Sequence, residues 1–355
     1  MTAGLVLGLA LAQSPGQGLD DPSGEWCDPT TSSPPIGDRA GHEEADHEEE
    51  PESRLVEALP KEPLEIHAWA EAGYMLPVHS PMHRGAYLSM ARLQGRLSEE
   101  DFDAFIQVGA DQGDLKLLDA RITWRPNDRV VVRAGHFKTP MSAEYLIPAN
   151  HLIFIHRSLH MDLVSKRAMG GEGELHLGPE GFDLGLQAGI YNPAGYAPVP
   201  GTGELLVGRL LLDTAPGLLF HASGGAWLHN DEALNILGED APAYDRHLVG
   251  GVLFEERGWT SVVEAAWAER ADDGEMGLGG VASIAHRFPA GPDFDIEPAA
   301  AVEFLQRDDQ LHDMSQIAVN FHKSDWNLVQ TVEWEMDVGP DTIGHSFYVQ
   351  IQAGL

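Results

Sequence analysis

Cysteine is nearly missing from this chain. Cys27 is the single thiol among 355 residues, so no intrachain disulfide framework exists. The small and apolar residues that precede a lipid-anchored cysteine are missing as well, since Gly24, Glu25 and Trp26 stand in their place. No run of eighteen apolar residues occurs, which excludes a transmembrane helix. A membrane crossed by strands is not excluded, because lipid-facing and water-facing residues alternate along such strands and keep the mean hydropathy modest; here it is −0.21. Cations are scarce, with 22 Lys and Arg against 56 Asp and Glu and a net charge of −34. That balance repels nucleic-acid phosphates and argues against a nucleic-acid partner. G-x-S-x-G, P-loop, H-E-x-x-H and C-x-x-C patterns are all absent, so no catalytic residues are assigned and an enzyme is not expected. His345-Ser346 and the pair His221 and Ser223 hold hydrolase residue types, but no spacing brings them together.

What is there falls into three textures. Residues 1–12 read as the apolar core of an export signal ending in Ala10-Leu11-Ala12, without a positive flank. Residues 13–63 are rich in Pro, Gly, Ser and acids, and the run 42–52 reads as a solvated, self-repelling segment expected to be disordered. The first 64 residues hold 14 acids against 3 bases. From Leu64 to Leu355 the pattern is alternation with regular punctuation. Sixteen strands are predicted, near 65–76, 84–97, 101–110, 115–125, 129–138, 167–178, 181–191, 203–214, 217–229, 244–256, 259–270, 275–288, 293–306, 313–323, 325–338 and 342–355. Short connections mostly alternate with longer ones, of which 139–166 is the longest. Transmembrane barrels have this asymmetry, with short periplasmic turns and longer outer loops.

Two strands sharpen the reading. In 342–355, Phe347, Val349, Ile351 and Ala353 share one face, with Tyr348 interrupting the polar one. In 325–338, Trp326, Leu328, Val332, Trp334 and Met336 oppose Asn327, Thr331, Glu333, Glu335 and Asp337. The expectation is an all-β fold: a closed antiparallel transmembrane barrel of about sixteen strands over 64–355, with the third outer loop, 139–166, folded inward. Closure is demanded because a bilayer offers no water to backbone N–H and C=O groups.

At the end of the fifth strand, Gly135-His136-Phe137-Lys138-Thr139-Pro140-Met141-Ser142-Ala143-Glu144 resembles the phosphate-selective porin O/P family of Gram-negative outer membranes, whose G-x-F-K-x-P-x-x-x-E-like signature is matched by Gly135, Phe137, Lys138, Pro140 and Glu144. Arg167-Ala168-Met169-Gly170 and Gly189-Ile190-Tyr191-Asn192 resemble family strand ends that follow. The resemblance implies a sixteen-stranded, usually trimeric barrel in the outer membrane, passing small solutes or ions, anions such as phosphate among them, by passive diffusion. Lipid and the permeating solutes are then its partners, and no cofactor is implied. The phosphate-specific arginine ladder is thin here.

Alternation places Arg92, Arg96, Arg121, Arg125, Arg133 and Arg209 in the lumen. It places Glu65, Glu71, Asp103, Asp119, Glu172, Glu174, Glu264, Glu297, Glu303, Glu333 and Glu335 there too. The arginines gather on 84–97, 115–125 and 129–138, and the acids on 293–306 and 325–338, so opposed walls and a transverse field are expected. Lys138, Glu144, His151, His156, His160, Asp162, Arg157, Lys166 and Arg167 are expected to face the constriction. Leu146, Ile147, Leu152, Ile153 and Phe154 would pack the insertion onto the wall. His151, His156 and His160 read as polar wall residues, and no metal is expected. A non-conducting structural barrel, a barrel-type hydrolase and a soluble secreted β-protein are the competing readings.

Overall fold

The computed structural model describes residues 64–77, 85–111, 114–178, 182–192, 203–215, 217–228, 244–270, 274–307, 310–323, 326–340 and 343–354. The expected export core, 1–12, and the acidic segment, 13–63, lie outside the described residues.

The wall strands are β1 (Leu64–Pro77), β2 (Gly85–Glu99), β3 (Phe102–Asp111), β4 (Asp114–Asn127), β5 (Val130–Lys138) and β6 (Arg167–Leu177). They continue with β7 (Asp183–Tyr191), β8 (Glu204–Ala215), β9 (Leu218–Leu228), β10 (Arg246–Glu256) and β11 (Trp259–Glu269). The ring is completed by β12 (Met276–His286), β13 (Phe288–Gly291), β14 (Phe294–Arg307), β15 (Gln310–Lys323), β16 (Leu328–Val338) and β17 (Ile343–Gly354). β12 and β13 are one wall strand interrupted at Arg287, since both pair with β14. The wall therefore has the sixteen members read from the alternation.

Each wall strand pairs antiparallel with its neighbours in sequence. β17 returns to β1 from Trp69↔Gly354 to Pro77↔Ser346. That last ladder closes the cylinder and leaves no free edge. Turns at one end are tight: Glu100-Asp101 joins β2 to β3, Asp128-Arg129 joins β4 to β5, and Arg257-Gly258 joins β10 to β11. The insertion of 139–166 opens from the other end.

The pleat sorts the chemistry. On β3, Asp103, Phe105 and Gln107 are buried while Phe102 and Ile106 are exposed. On β14, Glu297, Ala299, Ala301, Glu303 and Leu305 are buried, and Val302 on the other parity is 59% exposed. On β17, Phe347, Val349 and Ile351 are exposed and Gln350 is buried. Polar residues inside and large apolar residues outside invert a soluble protein. Leaving one such side chain in water costs about 1.5–3 kcal/mol, so the outer face requires lipid. Near the tight turns, outward aromatics gather: Phe102 stacks on Trp124 at 6.1 Å, Trp259 on His286 at 4.3 Å and Phe294 on Phe321 at 6.2 Å. This is the girdle of a barrel at a membrane interface.

Candidate functional site

The insertion begins where β5 runs out of pairing. Gly135 holds φ +135°, a backbone that side chains rarely adopt, and a Cβ there would overlap the Ala120 carbonyl. Thr139 then closes the neck. Its N–H donates to the Lys166 carbonyl at 2.8 Å, and its hydroxyl lies 2.6 Å from the Ser165 carbonyl and 2.8 Å from that of Lys166. Ser142 caps the short helix α1 (Ala143–Leu146), its Oγ accepting from the Tyr145 N–H at 3.0 Å. That is the usual work of a serine at a helix start.

Two cations seal the other end of α1. Lys138 donates to the carbonyls of Leu146 and Ile147, both at 3.2 Å. Arg157 donates to the Ile147 carbonyl at 2.6 Å and also to that of Glu144. Both lie over the Tyr145 ring, Lys138 at 5.6 Å and Arg157 at 5.3 Å. Glu144 accepts from the Ser158 N–H at 2.9 Å. The signature residues Gly135, Lys138 and Glu144 therefore shape the insertion. Burial lowers the Arg157 pKa to about 10, which leaves it charged at neutral pH.

The insertion lies against the buried parity of β9 to β17, and three wall carboxylates receive its backbone. Glu264 on β11 accepts from the Ala143 N–H at 2.8 Å, Glu303 on β14 from the Leu159 N–H at 2.8 Å, and Glu333 on β16 from the Ile155 N–H at 2.8 Å. Asn320 donates to the Ile153 carbonyl at 2.9 Å, Gln352 to the Asn150 carbonyl at 3.0 Å, and Ser223 to that of Met141. Hydrogen bonds to a charged acceptor are the strong kind.

Apolar patches fill the space between. Met141, Tyr145, Met161, Leu163 and Val164 meet wall residues Leu205, Val207, Trp227, Val249, Ala266, Ala268 and Leu305. Ile147 and Leu152 meet Leu253, Val262 and Val281, and Ile153 and Phe154 meet Ala285, Ala299 and Ala318. Leu146 joins none of these clusters, because its end of α1 turns to Lys138. Two wall glycines are sockets: a Cβ at Gly277 would overlap Leu163, and one at Gly279 would lie 2.9 Å from the His160 Cβ.

His160, in the 3-10 turn Leu159–Leu163, is fully buried. Its Nε2 is 2.7 Å from Glu264 Oε1, and its Nδ1 is 3.9 Å from Glu144 Oε2. His221 on β9 approaches the other Glu264 oxygen at 2.9 Å. Burial pulls the His160 pKa down, but the hydrogen bond and charge of Glu264, with the charges of Glu144 and Glu303, more than reverse it, so it stands above the ordinary histidine value. His156 has no such partner and burial lowers it. It meets Tyr348 edge-on at 5.3 Å, which accounts for the aromatic that broke the polar face of β17.

Several expected bore-facing groups thus look elsewhere. Glu144 and His160 point into the docked side, since a backbone segment lying on a polar wall needs acceptors and counter-charges. Glu303 and Glu333 lie beneath the insertion for the same reason, so the expected acidic wall is covered there. Asp162 and Lys166 remain exposed and pair with each other at 3.6 Å. Glu65 is exposed.

The inward arginines lie on β2, β4, β5, β6 and β8, and of these Arg167 reaches the insertion at Tyr145. Arg96 and Arg125 both reach Asp103 on β3. Arg133 bridges Glu172 at 2.7 Å and Glu174 at 2.8 Å, and Tyr191 donates to Glu172. Arg167 at the start of β6 reaches Asp119 at 3.1 Å. Arg92 lies over Trp69 at 5.8 Å and Arg121 over Phe105 at 4.7 Å. Arg209 is buried on β8, in register with Gln187 on β7. Glu264, His221, Asn320 and the wall glycines carry docking roles that alternation alone did not distinguish. Among the described residues, no group of three or more His, Cys, Asp or Glu is placed to hold a metal ion.

The family model described as phosphate-selective porin O and P matches residues 93–207, the stretch holding β5, the insertion and β6. No curated protein matches the chain. Solved outer-membrane channels share the fold. An anion-selective porin from Comamonas acidovorans is 10% identical with a TM-score of 0.58, covering 82% of this chain and 99% of that one. The Salmonella typhi OmpF complex with daunomycin is 11% identical with a TM-score of 0.59, covering 82% and 97%. The outer membrane channel DcaP of Acinetobacter baumannii is 10% identical with a TM-score of 0.57, over the same shares.

Proposed function

We propose that this chain, a porin-fold barrel whose residues 93–207 match phosphate-selective porin O and P, is an outer-membrane porin that passes small solutes by diffusion through a bore narrowed by residues 139–166. It does no covalent chemistry. Selectivity comes from the radius left open and from charges on low-dielectric walls.

One observation supports the reading of the bore: the insertion is bonded to carboxylates of β11, β14 and β16, and in this proposal solutes pass on the arginine side. Glu264, Glu303 and Glu333 are engaged with that segment. On the arginine side Arg92, Arg96, Arg121, Arg125 and Arg133 face Glu71, Asp103 and Asp119 among the inward residues of β1 to β5. The net charge −34 of the whole chain is therefore a poor guide to the bore, whose arginine side sets Arg92, Arg96, Arg121, Arg125 and Arg133 against Glu71, Asp103, Asp119, Glu172 and Glu174 and is close to charge balance. Small anions, phosphate among them, are the favoured solutes.

The test is the zero-current potential in a planar bilayer under a potassium chloride gradient, repeated in phosphate. We expect a potential of the sign set by chloride, shifted toward potassium by the double change Arg92→Glu and Arg121→Glu. A silent bilayer would remove the channel; a potassium-selective wild type would remove the anion preference. A homotrimer in the membrane is part of the proposal, in keeping with the trimer form of the Vibrio cholerae outer membrane protein that shares this fold. Light scattering of the detergent complex tests it.

A further inference from the structure

We propose that His160 and Glu264 form a proton-operated latch, which holds residues 139–166 on the wall while His160 is charged and releases them in alkaline medium. This rests on the channel reading above and adds a regulatory device to it.

Both nitrogens of His160 are addressed by carboxylates. Nε2 lies 2.7 Å from Glu264, and Nδ1 stands 3.9 Å from Glu144, an ion-pair separation at which it makes no hydrogen bond. A neutral imidazole has one N–H and one lone pair, whereas the imidazolium has two N–H groups. Only the charged ring presents a donor to both acids; the neutral ring turns a lone pair on one of them. The side chain is fully buried, so water offers no replacement partner and the mismatch is costly.

The surrounding charges set the direction. Glu264 on β11, Glu144 on α1 and Glu303 on β14 face this turn, against His221 on β9. β12 places Gly277 and Gly279 against the turn. At the far end His247 reaches the Leu163 carbonyl through Nδ1 at 2.8 Å, and Tyr244, with Arg307 over its ring, packs on the same cluster. Asp162 and Lys166 pair with each other on the exposed side. Losing the His160 proton leaves Glu264, Glu144 and Glu303 with His221 and, beside Glu144, the Arg157 guanidinium as the remaining counter-charges. The same Glu264 receives the Ala143 N–H and Glu303 the Leu159 N–H, so repulsion there loosens both ends of the docked segment. Because the folded pKa of His160 is raised, the contribution is complete below the ordinary histidine value and disappears as pH rises through the raised one.

The experiment follows amide exchange at Ala143 and Leu159 in the detergent-folded full chain, corrected for intrinsic rates, from about pH 6 to about pH 10. Bilayer conductance is recorded alongside. We expect protection to fall by about tenfold, what one hydrogen bond to a charged group is worth, with conductance rising over the same interval. His160→Gln keeps a neutral donor for Glu264 and should flatten both profiles, while His156→Gln should leave the wild-type profile intact. A flat wild-type profile overturns the latch. So does a fall that survives His160→Gln, or one that follows His221→Gln instead. If protection changes as expected and no current passes at any pH, the latch stands and the channel reading falls.

Discussion

Lys138 is the signature residue whose role the structure makes most testable. A lysine beside a bore invites the reading that it meets passing anions. Its ammonium is instead 3.2 Å from each of the Leu146 and Ile147 carbonyls and lies over Tyr145. Replacing it with Met keeps most of the aliphatic stem and its packing and removes both charged donors. Hydrogen bonds from a charged donor are worth about 1.5–3 kcal/mol each when well shielded. Lys138 is only partly buried, which reduces that figure. A loss of about 2 kcal/mol for the pair is a fair sum, roughly thirtyfold in the population of the closed α1 turn. The readout is exchange of the Ile147 amide, which donates to the Ala143 and Glu144 carbonyls at 3.2 Å. Lys138→Met should raise that exchange and add noise to the single-channel current, with ion selectivity kept. Unchanged exchange with an altered zero-current potential would refute the argument and return Lys138 to the solute path.

Other expectations concern the wall. Arg133→Ala leaves Glu172 and Glu174 without their shared cation, a loss of about 3–5 kcal/mol for a buried pair broken on one side; a lower urea midpoint of the detergent-folded barrel would show it, and an unchanged midpoint would deny it. Gly279→Val overfills the socket under His160 at about 1–3 kcal/mol, so exchange at Leu159 should rise while strand amides stay protected. Gly173→Val, where a Cβ meets nothing within 4 Å, is its silent control. Asp103→Asn should loosen Arg96 and Arg125, which share that carboxylate, and increase anion preference in the bilayer.

The amino-acid order alone carried the architecture. Period-two alternation and the spacing of turn residues are local properties, and a bilayer permits strands only in a closed ring. Sixteen wall strands and their closed antiparallel order follow from that. A further signal was present and points to the docked wall. Val262, Ala266, Ala268, Gly277, Gly279, Val281, Ala285, Ala299, Ala301 and Ala318 are small or apolar at inward parity, where a water-filled bore calls for polar groups. The side on which small and apolar inward residues are interspersed among the carboxylates is the side that the insertion covers.

Tertiary structure decided what each inward charge does. Glu303 and Asp103 share a parity, yet one accepts a backbone N–H from a segment 144 residues away in sequence and the other holds two arginines. Alternation reports which face a side chain takes, because the pleat repeats every two residues. It is blind to what lies opposite that face, since the partner arrives only when the cylinder has closed and residues 139–166 have bonded to its wall.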